Sequence, residues 1–550
     1  MKNLFNTLIV ILLIFSSPAL LAIPESGSHM MIAAPSKYAV EVGQKVAAKG
    51  GNVVDVAVAV GLTLAVTSPY YASLGGGGFA MIKVGKDVEV LDFREMAPIG
   101  THPKYYLDKP KDASINGGHA VGVPGVPAGL WAMHKKYGKL KWSELYREPL
   151  LLAQKGFRVS GEWVQKTNSN ETRFNDFGRK HFFNKKGKPY RPGETLRQPG
   201  LADALKQMRH RNILSFYSGP IAQDMVEAVK QSGGVLSLKD LKNYKVRWLK
   251  PLKADFQGYE VYLMPPPSSG GIVIQSALEL VKRVDVTKQK PLSVNELHLL
   301  GEILSRSFRG RSLLGDPDFH QNPLEFLVSD AYLNKMAKSI DLDKTESIKP
   351  LADGEWKESD ETTHFSVLDA KGHAVSLTVT LNGSYGSGLV SPRFGIALNN
   401  EMDDFTTRPD EPNMYGLVQG KGNVVEPGKR PLSSMSPSFV VKNNQVKLAI
   451  GAPGGPRIIS GVFQAIYRVL VSGFNLDWAI QAPRVHHQFL PHKLFVDTYR
   501  FAPETIDGLK KKGHEVEESW NSRVYGVLLN DSGILDAAFD SRGEGAAGGY

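Results

Sequence analysis

The chain has 550 residues, 42% of them apolar, which is enough for a large mixed core and, by length alone, for more than one domain. Its formal charge of +11 is scattered among many acids, without the dense basic stripe or module that nucleic-acid binding requires. There is no cysteine, which excludes disulfides, thiol nucleophiles and Cys-held metals. At the N-terminus Lys2 precedes an apolar run from Leu8 to Phe15, and small residues follow at Ser17, Ala19 and Ala22. This is the pattern of a secretory signal peptide over 1–22, cleaved after Ala19 or Ala22. The run is short of the roughly 20 residues that span a bilayer. The expectation is therefore an exported protein, periplasmic or secreted, with no stable membrane span after signal removal.

The pattern from Ser36 to Lys49 suits a helix closed by Gly50-Gly51. Asn52 and Asp55 can cap each other at the start of a second helix, Val53 to Val66, which is apolar on every side and so belongs in a core. The run Gly75-Gly76-Gly77-Gly78 precedes a strand from Phe79 to Val84. A phosphate cradle would need a Lys-Ser/Thr pair after it, so the run reads instead as backbone packed too closely for side chains. A strand from Val88 to Phe93 ends at Arg94-Glu95. From Trp131 to Asp285 helical patterns alternate with Gly/Pro turns and no linker intervenes. Pro265 to Gly271 forms a rigid turn ahead of a helix starting near Ile272. The stretch 352–361 is polar and acidic with almost nothing to bury, and it reads as an exposed, mobile linker.

That linker ends abruptly at Thr362, where two alternating β runs flank a Gly-containing turn. A turn centred on Lys371 places Thr362 opposite Thr380, and a slip of one residue would destroy the pairing. A threonine hydroxyl needs a base to become a nucleophile. If the bond before Thr362 is cut, the freed α-amine, with a pKa of about 8, can serve as that base and return the proton as an acid. Taken alone, the pattern is more simply that of an ordinary Thr-rich hairpin. Gly454-Gly455 reads alone as a tight turn, and Arg94 as a surface ion pair. Glu401, Asp403 and Asp404 read as a solvated loop or a hard-metal site, the latter without a further ligand set. His486-His487 lacks a third zinc ligand, and no Gly-x-Ser-x-Gly turn marks a serine hydrolase.

The blocks Thr362 to Val367 and Asn399 to Phe405 resemble the γ-glutamyltransferase (γ-glutamyl transpeptidase) signature. Leu91 to Pro98, Met264 to Gly271, Pro431 to Pro437 and Gly451 to Gly455 match further blocks in the same order. The resemblance runs from about residue 30 to the C-terminal Tyr550. It implies an α+β fold, the four-layer αββα sandwich of N-terminal-nucleophile hydrolases, formed jointly by two subunits cut from one precursor. The cut would fall between Glu361 and Thr362, giving a large subunit of 23–361 and a small catalytic one of 362–550. Glu361 departs mildly from the Asn, Asp or Gln more usual there.

By the same resemblance Thr362 is the nucleophile, Thr380 orients it, and the backbone N–H groups of Gly454 and Gly455 form the oxyanion hole. Arg94, Ser433 and Ser434 would hold the substrate's α-carboxylate, Asn382, Glu401 and Asp404 its α-ammonium, and Tyr415 would sit on a lid. The implied donors are glutathione and other γ-glutamyl compounds, and the acceptors water, amino acids or peptides. No metal or other cofactor is implied. The alternatives are a glutaryl or cephalosporin acylase on the same scaffold, or a non-catalytic paralogue acting as a binding protein.

Overall fold

The computed structural model describes residues 25–347, 362–408, 411, 413–415, 417 and 420–550. The expected signal peptide, the linker and Glu361 lie outside the described residues. Among the described residues no helix is long and apolar enough to cross a membrane.

The Val53–Thr67 helix begins where expected, because the Asn52 side chain accepts from Val54 N and Asp55 N while Asp55 accepts from Asn52 N, each at 3.0 Å. Every residue of it is buried. Two of its polar side chains, Thr63 and Thr67, turn their hydroxyls back onto the carbonyls of Ala59 and Thr63 (2.7 and 3.1 Å), so the core there contains no unmade hydrogen bond from them. The preceding helix, Lys37–Ala48, ends ahead of Gly50, whose φ of 84° favours glycine.

Two seven-stranded sheets form the interior, and all their strand pairs are antiparallel. The first runs in the order Ala546–Gly549, Met30–Ala34, Thr363–Asp369, Ala374–Thr380, Gly77–Lys83, Val88–Phe93, Arg247–Leu249. The second runs Glu25–Gly27, Leu535–Phe539, Tyr525–Leu529, Gln445–Gly451, Ser438–Lys442, Tyr259–Leu263, Leu252–Phe256. Side-chain alternation assigns the layers. Ile32, Ala34, Ala80, Ile82, Phe365, Val367 and Leu377 pack toward the Lys37–Ala48 and Val53–Thr67 helices. Met31, Ala33, Phe79 and Met81 face the other way, into a core shared with the second sheet and with the helices Gly270–Val281, Val294–Phe308 and Arg457–Leu470. Helix, sheet, sheet, helix is the αββα sandwich that the sequence implied.

The hairpin register is Thr363↔Val379 through Leu368↔Ala374, so one further step sets Thr362 against Thr380. Asp369 Oδ1 fixes the turn by accepting from Lys371 N and His373 N at 2.9 Å. The Gly run packs as expected. A Cβ on Gly76 would lie 2.1 Å from the Thr380 carbonyl, and one on Gly78 2.1 Å from that of Thr378. The strand there starts at Gly77, earlier than Phe79, because Gly77 and Gly78 already pair with Thr380 and Val379. The helix after Pro265–Ser269 likewise starts at Gly270, where Ser268 Oγ accepts from Gly270 N at 3.0 Å.

Candidate active site

Thr362 stands at the open end of the central hairpin and is buried. Its Oγ1 lies 3.5 Å from Thr380 Oγ1, a loose contact. Thr380 Oγ1 also accepts from Asn382 N at 2.8 Å, which fixes the hydroxyl. Asn382 itself takes a left-handed φ of 70°. Two residues along the same face, His364 is buried between Thr378 Oγ1 (2.9 Å) and Ser366 Oγ (3.0 Å). Burial pushes its pKa down to about 3, so it is a neutral spacer between the sheets. Sequence reasoning did not single it out.

Gly454 and Gly455 have φ of 121° and 51° and lead into the Arg457–Leu470 helix, where Arg457 N donates to Gly454 O at 3.0 Å. The two glycines are not placed alike. Gly455 shares a cavity with Thr362, whereas Gly454 turns toward Ser522, whose Cα would lie 3.2 Å from an added Cβ.

Arg94 is only 1% exposed and is no surface ion pair. Its position is set from behind. Arg94 N donates to Asp92 Oδ1 at 2.9 Å, and Asp92 is gripped by Arg430 (2.6 Å) and Arg247 (2.7 Å). Burial raises the Asp92 pKa, but these two guanidiniums outweigh it and hold the carboxyl below its usual range. The Arg94 guanidinium itself meets Glu401 Oε1 in a short bond and Asp404 Oδ2 at 2.6 Å, with Glu95 Oε2 at 3.8 Å from Nη1. The positive and negative parts expected to receive a zwitterion are here bonded to each other. Glu401 and Asp404 sit on one 3₁₀ turn, Glu401–Asp404. The turn is anchored by Asn399, which accepts from Glu401 N (3.1 Å) and donates to Gly75 O (2.8 Å).

Ser433 donates its N–H to Pro267 O at 2.8 Å, and its Oγ accepts from Met435 N at 3.1 Å. The N–H of Ser433 is therefore already used, which narrows the expected carboxylate donors to its hydroxyl proton and to Ser434. The loop around Tyr415 is bolted onto the site. Asn413 Nδ2 donates to Asp404 Oδ1 (3.0 Å), Met414 N to Asp403 Oδ2 (2.8 Å), and Tyr415 OH to the Asn382 carbonyl. Asp403 thus serves as an anchor for this loop, and burial raises its pKa to about 6.

Thr362, Thr380, Gly455, Arg94, Ser433, Ser434, Asn382, Glu401, Asp404 and Tyr415 line one cavity of about 20 Å³, room for a single water. Arg311, Leu417, Met435 and Ile458 line it too, and the sequence reading missed them. Arg311, within Arg309-Gly310-Arg311, carried no periodic or motif signal, and burial lowers its pKa to about 10. A larger cleft of about 480 Å³, beside Lys37, Arg158 and Glu544, contains none of these groups. His486 is buried, bonded to Ser460 Oγ (2.6 Å) and Gln488 Oε1 (2.9 Å). Among the described residues no His/Asp/Glu group has a metal-holding arrangement.

Residues 39–550 match the family model described as Gamma-glutamyltranspeptidase. The chain is 39% identical to a glutathione hydrolase proenzyme of Pseudomonas aeruginosa, over 96% of both chains. It is 38% identical to that of Escherichia coli, over 94% of this chain and 91% of the relative. A cephalosporin acylase from Bacillus halodurans superposes with a TM-score of 0.83 over 96% of each chain at 24% identity, a likeness of fold alone.

Proposed function

As a member of the gamma-glutamyltranspeptidase family, and so an enzyme of the glutathione hydrolase kind, this chain, we propose, uses Thr362 to cleave the γ-amide of glutathione and related γ-glutamyl compounds. The reading is carried by one observation: the Thr362–Thr380 pair, Gly455 and the charged groups of an α-amino-acid pocket surround a single cavity. The precursor first cuts itself between Glu361 and Thr362, the latter's hydroxyl attacking the Glu361 carbonyl and water releasing the ester. The curated relatives' description as proenzymes supports this step.

In the mature site the Thr362 hydroxyl attacks the γ-carbonyl while the new α-amine takes its proton. The oxyanion is received by backbone N–H groups at Gly454-Gly455. The proton then passes to the departing amine, leaving a γ-glutamyl ester on Thr362. Water or an amino acid's amine breaks that ester and restores the hydroxyl.

Arg94 takes the substrate's α-carboxylate in a bidentate grip, helped by Ser433 and Ser434. Glu401, Asp404 and Asn382 take its ammonium. Because the cavity is so small, Arg94 must exchange its carboxylate partners for the substrate's, and the Tyr415 loop must lift and reclose. A glutaryl side chain has no ammonium for Glu401 and Asp404, which disfavours the acylase alternative. We further propose that residues 1–22 direct export.

The test is a denaturing gel of purified protein with N-terminal sequencing of the smaller band, alongside release of glutamate from glutathione. Two bands, the smaller starting at Thr362, together with turnover are expected. A single uncut chain after long incubation refutes the reading.

A further inference from the structure

Behind Arg94 lies a carboxyl that the mechanism above leaves unused. Glu95 is fully buried, and Gly77 makes room for it, since a Cβ there would lie 2.4 Å from Glu95 Oε2. Apart from Glu95's own backbone N–H, neither Glu95 carboxyl oxygen, nor Glu401 Oε2, receives a hydrogen bond from a described residue. Buried acceptors left this way are costly. The two carboxyls are nevertheless within hydrogen-bonding reach of each other. Three buried carboxyls, Glu95, Glu401 and Asp404, surround Arg94, and the one other guanidinium lining the cavity, Arg311, acts on Asp404, so the carboxyls outnumber the cations by one. Two like charges side by side in such a place cannot both ionise cheaply, and one proton placed between them satisfies two orphaned oxygens at once.

We propose that Glu95 and Glu401 hold one proton between them before substrate docks, and that the arriving α-ammonium expels it, making Glu95 a positioning residue for the substrate's charged end. This rests on the α-amino-acid pocket proposed above. The ammonium brings a positive charge and N–H donors to Glu401, and both disfavour a proton already there. By linkage, deprotonating the pair tightens ammonium binding to the same degree. Once Glu401 turns to the ammonium, Glu95, 3.8 Å from Arg94 Nη1, keeps a negative charge beside the guanidinium. Burial raises both carboxyls, Glu95 to about 7 and Glu401 well above the usual carboxylate range.

Of the other groups near the pair, Asp403 and the freed α-amine lie closest to neutral pH, and both are common to wild type and Glu95→Gln. Arg94 and Arg311 stay cationic across neutral pH. Tyr217 and Tyr244 are raised by burial and stay neutral. Asp403, raised to about 6, lies behind Asp404 and bonds Met414 N and Ser114 Oγ. The α-amine freed by the cut, with a pKa of about 8, is present in wild type and variant alike.

The experiment is calorimetric titration of the processed enzyme with L-glutamate between pH 6 and 8, in buffers of different ionisation enthalpy. Wild type should release about half a proton or more near pH 7 and bind more tightly at the alkaline end, by about tenfold or more. In Glu95→Gln the amide donates permanently to Glu401, so affinity should vary less with pH and the release near pH 7 should vanish. Release of the same size in that variant overturns the shared proton. Glutamate binding to wild type with no proton released near pH 7 overturns it without recourse to any variant. Failure of glutamate to bind the processed wild type at all overturns the pocket assignment itself, and the proposal with it.

Discussion

Thr362, Thr380 and Asp404 are separable by experiment because each meets different neighbours. Thr362→Ala removes the hydroxyl proposed to attack the Glu361 carbonyl, so the chain should stay a single band and show no γ-glutamyl turnover. A cut product from that variant would disprove the assignment. Asp404→Ala leaves the hairpin untouched and should still cut. It removes one of the two close carboxylates bonded to Arg94, and turnover should fall by about a hundredfold or more. Activity within a few-fold of wild type would refute its role. Thr380→Val strands the Asn382 N–H, now satisfied at 2.8 Å. A stability loss of about 1–3 kcal/mol in urea denaturation is expected, together with slower cutting.

Two elements carry predictions of their own. The strand starting at Gly77 presses the backbone of Gly76 onto the Thr380 carbonyl, and a Cβ at Gly76 would lie 2.1 Å from that oxygen. Gly76→Ala must push strand backbones apart, costing about 1–3 kcal/mol, and should displace Thr380 and slow turnover too. The helix Val294–Phe308 carries His298, whose Nε2 meets the Asp341 carbonyl and whose Nδ1 meets His514 Nε2, both at 2.7 Å. A carbonyl only accepts, so His298 Nε2 carries the proton, Nδ1 accepts, and His514 donates. Both rings are neutral. Burial, reinforced by His298, pushes His514 down to about 3, and burial lowers His298 as well. In the unfolded chain each titrates near pH 6.5. The unfolded state therefore takes up protons that the fold excludes, and this contribution is full above about pH 6.5 and is lost as pH falls toward 3. For His514 the loss is about 2 kcal/mol by about pH 5. His514→Gln keeps the donated hydrogen bond and should flatten the fall of melting temperature with acid. An unchanged slope would show that the pair is not responsible.

The strand order of both sheets interleaves the segment before residue 348 with the one after 361. In the first sheet Met30–Ala34 lies between Ala546–Gly549 and Thr363–Asp369. In the second, Glu25–Gly27 and Tyr259–Leu263 flank the four strands of the later segment. Cutting before Thr362 severs no strand, and separation would expose several unpaired sheet edges and both halves of two cores. The two pieces should therefore migrate together in native size-exclusion chromatography and separate only in denaturant. Two native peaks would show that the cut disassembles the sandwich.

Much of this was legible from the chain itself, because the signals are local. A capping pair at Asn52 and Asp55, an all-apolar helix, a period-two hairpin and its turn are each specified within a few residues, so the helix boundaries and the Thr362–Thr380 register followed from sequence. The αββα class and the site residues came instead from blocks resembling a family. What folding decided is whatever depends on residues distant in sequence. These are the neutralisation of Arg94 by Glu401 and Asp404, the diversion of the Ser433 N–H to Pro267, the unequal placement of Gly454 and Gly455, and the burial of Glu95 and Arg311. Burial and charge pairing are properties of three-dimensional neighbours. No spacing along the chain could have given that Arg94 and Glu401, 307 positions apart, share one hydrogen bond with no water between them.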